Sequence, residues 1–373
     1  MNPFRYTEPV PPSELIDRDS EAETLLRTAV AGNNSRLIAP RRYGKTSLLR
    51  RVIDDAGREG WAAVYVDFFG VLTLGDVAAR IERAYAAQLE GGLASWFAGI
   101  RRRLRPTLRL GAEDQIPAEL ELSLDPQAEP PLLERLALPR RIQERSGQRT
   151  LVVFDEFQDV LAAKDRADAT IRSEIQHHAD AASYVFAGSQ LGMMRRLFAD
   201  KRRALYGQAR AVELSPLAPD DVAEDVAGRF ARTNRDVGTA LDLLLDAGGG
   251  HPQRTMLLAN ALWDELGPGE TATEEQWFAA YDRAMVEVRD ELRAIWIGLG
   301  TGQRRVLSAV AQNRDGLYAA GRRQGGSRGG AVKSAIRALA DRGEVMEDRR
   351  YPTGYRVVDP LLRQWIAAGT PGA

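Results

Sequence analysis

The chain of 373 residues contains no cysteine. Disulfides and thiolate zinc sites are therefore excluded. Histidine occurs only at His177, His178 and His251, which argues against a histidine-rich metal site. An excess of one charge is also missing: 51 Lys and Arg face 52 Asp and Glu, a net charge of −1. No global field draws such a chain to nucleic acid or to a membrane, so any such binding needs a local patch. No apolar run approaches the length of a membrane span. The opening residues Met1, Asn2, Pro3, Phe4, Arg5 and Tyr6 lack the apolar core of a signal peptide. A cytoplasmic protein with no membrane partner is expected. Lysine is scarce, at positions 45, 164, 201 and 333, so 47 of the 51 basic residues are arginine. This reads as the codon bias of a GC-rich genome and lowers the information in any single arginine cluster. Hydrophobic content of 44% and charged content of 28% are ordinary for a globular protein. The length suits two or three domains.

What is present is concentrated in one stretch. Arg36, Leu37 and Ile38 predict a short strand. Ala39, Pro40, Arg41, Arg42, Tyr43 and Gly44 form a tight loop, and Lys45, Thr46 and Ser47 lead into a helix expected over Leu48 to Asp55. This is the layout of a nucleotide-phosphate cradle. Loop and helix N-terminal N–H groups point at the phosphates, and the helix dipole favours negative charge there. Lys45 can reach the β- and γ-phosphates, and the Thr46 hydroxyl can bind Mg²⁺. The expected cradle is Pro40 to Ser47. The pattern asks for glycine at its first position, where this chain has Ala39. A cationic loop that merely caps a helix would show the same residues.

A second motif weighs against that alternative. Thr150, Leu151, Val152, Val153 and Phe154 form a continuous apolar run followed by Asp155 and Glu156. Such a run suggests a buried parallel strand with carboxylates at its carboxyl end. Ligands of open α/β sheets sit at that end. Asp155 is placed to hold Mg²⁺, and Glu156 to orient or deprotonate an attacking water. The bland alternative is a strand ending in solvated acids.

Along the chain, residues 1–20 are Pro-rich and extended. Ser20 is a plausible N-cap, with Glu23 at N3, for a helix over Glu21 to about Ala31. Strands are expected at 36–38, 62–68, 150–154, 183–187 and 211–214, separated by helical patterns. The alternation predicts a parallel sheet with helices on both faces. Residues 91–148 interrupt the rhythm and read as an insertion, with a surface hairpin suggested over 107–124. From 215 the pattern is helical to about Met285, broken at Gly248, Gly249, Gly250, His251 and Pro252. A smaller unit then begins near Leu292. Its helices are expected at 303–312 and 331–342, followed by a hairpin of Val345–Asp348 and Tyr355–Val358. Helix, helix, hairpin is the order of a winged helix.

At this point the chain resembles a P-loop ATPase of the AAA+/STAND type, most of all the archaeal-type ATPase family near the Orc/Cdc6-like proteins. The matching residues are Ala39 to Ser47, Phe154 to Gln158, and Phe186 to Gln190. Leu205 to Ala209, Gly249 to Pro252 and Tyr355 to Pro360 also fit, and together they cover most of the chain in the family's order. The resemblance implies an α/β fold with a P-loop NTPase parallel-sheet core over 21–214, a helical lid over 215–290 and a winged helix over 291–373. It implies ATP or ADP and Mg²⁺ as ligands, and ATPase activity. It assigns γ-phosphate sensing to the polar residue after the fourth core strand, Ser189 or Gln190, of which Ser189 is chosen. The Gly-x-Pro turn of the lid approaches adenine in such proteins, which nominates His251 and Pro252. A helix-breaking turn with no ligand explains that pair equally well. Ile16, Asp17 and Arg18 resemble the element beside adenine and ribose. No single arginine finger stands out among Arg195, Arg196, Arg202, Arg203 and Arg210.

Residues 301–359 hold 12 Lys or Arg against 6 Asp or Glu. Arg322, Arg323 and Arg328 precede the expected recognition helix, Lys333 and Arg337 lie on it, and Arg349, Arg350 and Arg356 fall on the wing. This suits phosphate contacts with duplex DNA. A winged helix used for protein contacts or autoinhibition is the competing reading, because fold does not determine function. Three functions therefore stay open: an ATP-hydrolysing switch, a regulatory or DNA-binding module that holds ADP and rarely hydrolyses, and a scaffold for a protein trigger or client in a defence or toxin-like operon.

Overall fold

A computed structural model describes residues 1–104, 129–164, 166–313 and 328–369. Five parallel strands form the central sheet: β1 (Ser35–Ile38), β2 (Ala62–Asp67), β3 (Thr150–Asp155), β4 (Ala182–Gly188) and β5 (Arg210–Glu213), in the order β2-β3-β4-β1-β5. All five match the expected segments to within a residue or two. β3 and β4 are buried along their whole length, as strands covered on both faces must be. Alternate residues point to opposite faces. Leu151, Val153, Val185 and Ala187 pack on one side, and Val152, Phe154, Tyr184 and Phe186 on the other.

The strand order positions the site. Ile38 pairs with Gly188, and Phe154 with Phe186. The loop after β1, the acids ending β3 and the Ser189 turn after β4 therefore emerge side by side at the carboxyl edge.

Helices α1 (Asp19–Val30) and α2 (Lys45–Arg58) supply residues to the core on one face. The expected cap of α1 is corrected. The helix starts at Asp19, and its N-cap is Arg18 in the left-handed region at φ 79°, with no side-chain cap bond. The Ser20 hydroxyl donates instead to Glu21. The Arg18 guanidinium, held by the Ser215 carbonyl at 2.6 Å, sets the entry of the chain.

The other face carries α3 (Leu74–Gln88), α4 (Gly91–Leu104), α5 (Glu129–Leu136), α6 (Leu138–Ser146), α7 (Val160–Ala163), α8 (Ala167–Ile175) and α9 (Leu191–Ala199). Thr73 and Asp76 form a capping box that starts α3. The flanks of the segment expected as an insertion, 91–148, pack against the sheet. Phe97, Leu132, Leu136, Leu138 and Ile142 are buried in the same core as β3 and β4. The Gly91-Gly92 pair and the charge around these helices masked their apolar face. The hairpin suggested over 107–124 lies outside the described residues.

Four helices follow the sheet: α10 (Pro219–Arg232), α11 (Ala240–Gly248), α12 (Pro252–Asp264) and α13 (Glu274–Ile297). The smaller unit was expected to begin near Leu292, a position inside the continuous α13. Then come α14 (Thr301–Ala311), α15 (Arg328–Arg342), the antiparallel hairpin β6 (Val345–Glu347) and β7 (Tyr355–Val357), and α16 (Pro360–Ala367). The helix–helix–hairpin order is the expected one. One core joins these helices to the preceding four through Leu292, Leu299, Leu307, Leu339 and Leu361.

The N-terminal segment is a strap across this second core. Phe4 is buried against Phe230, with ring centroids 5.0 Å apart. Arg229 donates to the carbonyls of Pro3 and Glu14.

Leu132 offers a direct test of this core. Leu132→Ala should lower unfolding free energy by about 2–5 kcal/mol, the cost of a cavity at a buried leucine. Chemical denaturation would read this, and a loss of only a few tenths would remove α5 from this core.

Candidate functional site

Gly44 adopts φ 81° and caps α2 without any side-chain hydrogen bond. The first N–H groups of a helix have no intrahelical partner. At α2 these belong to the turn of Lys45, Thr46 and Ser47, and a Cβ built on Gly44 would meet nothing within 4 Å. This is an open, positively polarised cradle. Ala39, in the place of the usual glycine, is fully buried in the core with Leu37 and Leu48, so the small side chain is accommodated.

Beside the cradle lies a compact polar cluster. Lys45 Nζ forms ion pairs with Asp155 and, at 2.8 Å, with Glu156. The Thr46 hydroxyl is 3.5 Å from Asp155 Oδ2, and the Tyr65 hydroxyl donates to the same oxygen at 2.6 Å. Glu156 Oε2 accepts from Gln158 Nε2 at 2.7 Å and from Ser189 Oγ at 2.9 Å. Burial works against the Lys45 ammonium, but the two carboxylates outweigh it and raise its pKa. Burial likewise works to raise Glu156, while Lys45, Gln158 and Ser189 outweigh it and hold the carboxyl below its ordinary range. Glu156 itself sits at φ 47°, a left-handed conformation that turns its side chain sharply off the end of β3.

One cleft of about 1230 Å³ brings the expected residues together. Pro40, Arg41, Arg42, Tyr43, Gly44, Lys45, Thr46 and Ser47 line it, with Arg18, Glu156, Ser189, Gln190, His251 and Pro252. Asp155 lies beneath, 2% exposed, bonded to Lys45. Several side chains turn to protein partners. Arg42 pairs with Glu291, and the Ser47 hydroxyl accepts from the Val10 N–H at 3.1 Å. Tyr43 is fully buried; its hydroxyl accepts from Arg356, and its ring meets His251 edge-on. His251 Nδ1 accepts from the Arg254 N–H and so caps α12. The turn at 248–252 is therefore a helix start that also lines the cleft.

Among the finger candidates, Arg203 is paired with Asp168, Arg202 with Asp200, and Arg195 lies 3.9 Å from Asp341. Arg210 opens β5, and Arg196 lines the cleft. On the hairpin, Arg356 is corrected: it is buried against Tyr43, not displayed on a wing, because burial of the hairpin against the core turns it inward. Arg349, Arg350, Lys333 and Arg337 are exposed. Arg322, Arg323 and the Arg328 side chain lie outside the described residues.

Three residues of the site were missed. Tyr65 gives no sequence signal beyond strand alternation. Gln158 follows the acids directly but had no assigned role. Arg254 lines the cleft, binds Asp359 at 2.6 Å and keeps a buried Nη1 without a hydrogen-bond partner. It falls three residues after His251, and the abundance of arginine hid it.

The residues fit a nucleotide with Mg²⁺. The uncapped helix start and Lys45 suit phosphates, and the Thr46 hydroxyl with the Asp155 carboxylate supplies the hard oxygen donors that Mg²⁺ takes. Among the described residues there is no group of three or more His, Cys, Asp or Glu placed to hold a metal ion by themselves. Mg²⁺ commonly uses only one or two carboxylates together with phosphate oxygens. No helix of the described residues is long and apolar enough to cross a membrane.

No protein-family model matches the chain, and no curated protein matches it. Solved structures do. A Walker-type ATPase of Pyrococcus abyssi is similar over 97% of this chain and 99% of its own, with a TM-score of 0.67 at 16% identity. The ORC2 protein of Aeropyrum pernix, in its ADPNP–ADP complexes, is similar over 99% of this chain and 98% of its own, with a TM-score of 0.60 at 16% identity. Its ADP form gives 0.53 at 17% identity. The chain thus has the α/β fold of these proteins, end to end.

Two outcomes follow from this geometry. A Cβ at Gly188 would fall on Gln158 Oε1 and within 2.7 Å of Met194 Sδ. Gly188→Ala should destabilise the protein by about 1–3 kcal/mol through overpacking, measurable by thermal unfolding. His251 is buried, which lowers its pKa to about 4. Its folded value lies below the unfolded one, so its contribution is complete above pH 6.5 and is lost as pH falls towards 4. Unfolding free energy should drop by up to about 3 kcal/mol over that window from this group. A denaturation series with His251→Asn should show a flatter dependence than the wild type.

Proposed function

We propose that the chain is an Mg²⁺-dependent, ATP-binding and ATP-hydrolysing molecular switch. The single observation that carries this reading is the cluster of Lys45, Asp155, Glu156 and Ser189, drawn from three segments, at the foot of an uncapped helix. Helix N–H groups and Lys45 would bind the phosphates. Thr46 and Asp155 would hold Mg²⁺, which when bound neutralises charge building between the β- and γ-phosphates. Glu156 would take the proton of the attacking water. Ser189 would sense the γ-phosphate, and its hydroxyl has a single proton to give, now donated to Glu156. Arg18, His251 and Pro252 would approach the base and ribose.

The nucleotide state would be read out by the lid over 215–290 and the winged-helix unit over 291–373. Duplex DNA is the partner that exposed Lys333, Arg337, Arg349 and Arg350 favour. Burial of Arg356 removes one contact from that surface.

A second reading is supported by Glu156 being held by three donors and by Arg202 and Arg203 being committed to acid partners. Without an arginine finger, hydrolysis slows roughly 10³–10⁵-fold. The chain would then hold ADP and act as a regulatory module.

Steady-state ATP turnover with Mg²⁺, with and without duplex DNA, separates the two. The switch predicts turnover that Glu156→Gln reduces by about 10²–10⁴-fold. Lys45→Ala should abolish nucleotide binding; unaltered ATP affinity in that variant sinks the assignment. Bound ADP with negligible turnover favours the regulatory module.

A further inference from the structure

The phosphate loop is gripped by the far end of the chain. Tyr43, in the middle of the loop, is fully buried, and its hydroxyl accepts a 2.8 Å hydrogen bond from Arg356 Nη2 on β7. The partners are 313 residues apart. Arg356 is itself only 7% exposed, with its nearest carboxylate, Asp348, at 3.7 Å on its own hairpin. A buried guanidinium so placed depends on each of its acceptors.

The neighbouring residue explains why the loop needs support. Arg42 adopts φ 63°, in the left-handed region that a side chain other than glycine enters only at a cost. Such strain persists where surrounding contacts over-determine it. Arg42 Nη1 reaches both carboxylate oxygens of Glu291 on α13 at 2.6 Å. Glu291 also takes Arg254 at 3.3 Å, and Arg254 binds Asp359 at the start of α16. Two adjacent loop residues are thus held from α13 and from the C-terminal hairpin, while the Gly44–Lys45 turn that follows faces the cleft.

We propose that Arg356 is a positioning residue of the nucleotide site: from the C-terminal hairpin it holds Tyr43, and through Tyr43 it sets the phosphate loop. This rests on the nucleotide reading above. Occupancy of the cradle and docking of the hairpin are then linked, and the linkage is reciprocal. Whatever detaches the hairpin weakens nucleotide binding, and bound nucleotide tightens the hairpin.

The test uses the full chain, with Tyr43→Phe, Arg356→Met and the double variant. Tyr43→Phe keeps the ring against His251 and removes only the hydroxyl, so it serves if Arg356→Met fails to fold. Calorimetry with ADP and Mg²⁺ should show each single variant binding roughly tenfold more weakly, and the double variant no weaker than either single. Hydrogen exchange over residues 345–357 should slow on adding ADP to the wild type, and this response should vanish in Tyr43→Phe. A contact serving only stability would leave that response intact. Folded single variants that bind ADP within about twofold of the wild type overturn the proposal, as do additive losses in the double variant. A wild type that binds neither ADP nor ATP removes the nucleotide reading itself, and the proposal with it.

Discussion

Everything at the site hangs on one buried ammonium between two carboxylates. Lys45 is 7% exposed and cannot shed its charge without leaving Asp155 and Glu156 facing each other unneutralised. Desolvating such charges is expensive and is offset only by close partners and further hydrogen bonds. The structure supplies those bonds from separate elements: Tyr65 from β2, Gln158 from the turn after β3, and Ser189 from the turn after β4. The cluster therefore ties three neighbouring strands at one edge. An anion arriving in the cradle would compete for Lys45 and for the Ser189 proton, and so would disturb every member at once.

The second network carries that disturbance outward. Arg42, Glu291, Arg254 and Asp359 form a chain of ion pairs from the loop after β1 through α12 and α13 to α16. Asp359 Oδ1 also caps α16 through the Leu361 and Leu362 N–H groups. Burial acts to raise the Asp359 carboxyl, yet Arg254 above all brings it below its ordinary range, so the chain stays charged near neutrality. Removing Arg254 would leave the Asp359 carboxylate without its ion-pair partner beside a continuous apolar core, because the helices after the sheet share one cluster of packed side chains. Helices α10 to α13 and the C-terminal elements are thus joined to each other by packing, and to the loop after β1 by charge.

Much of this was legible in the residues. Apolar runs of the right length marked all five strands, and Gly44, Lys45, Thr46, Asp155 and Glu156, singled out by type and spacing, do come together at one edge of the sheet. The local signals failed where a residue's partner is remote. Ser20 has the chemistry of a cap, but Arg18 starts the helix because a carbonyl nearly 200 residues away holds its guanidinium. Arg356 looks like a wing contact by position, yet packing turns it towards Tyr43. Arg254 was lost among many arginines, since composition cannot distinguish a buried one from a solvated one. The packing of the helices flanking residues 105–128 was not legible, because their apolar face is short and interrupted by charge.

The sequence by itself determined the alternation of strands and helices, the loop with its lysine and threonine, and the acids ending β3. Each of these is encoded within a dozen residues, in hydrophobic period and in residue type. Only the tertiary structure decided that Ser189 and Gln158 hold Glu156, that Tyr65 supports Asp155, and that the loop after β1 is braced by Glu291 and Arg356. Those contacts depend on strand order and on the docking of helices far apart in the chain. Their energies come from desolvation and from direction-dependent hydrogen bonds, which have no local pattern to read.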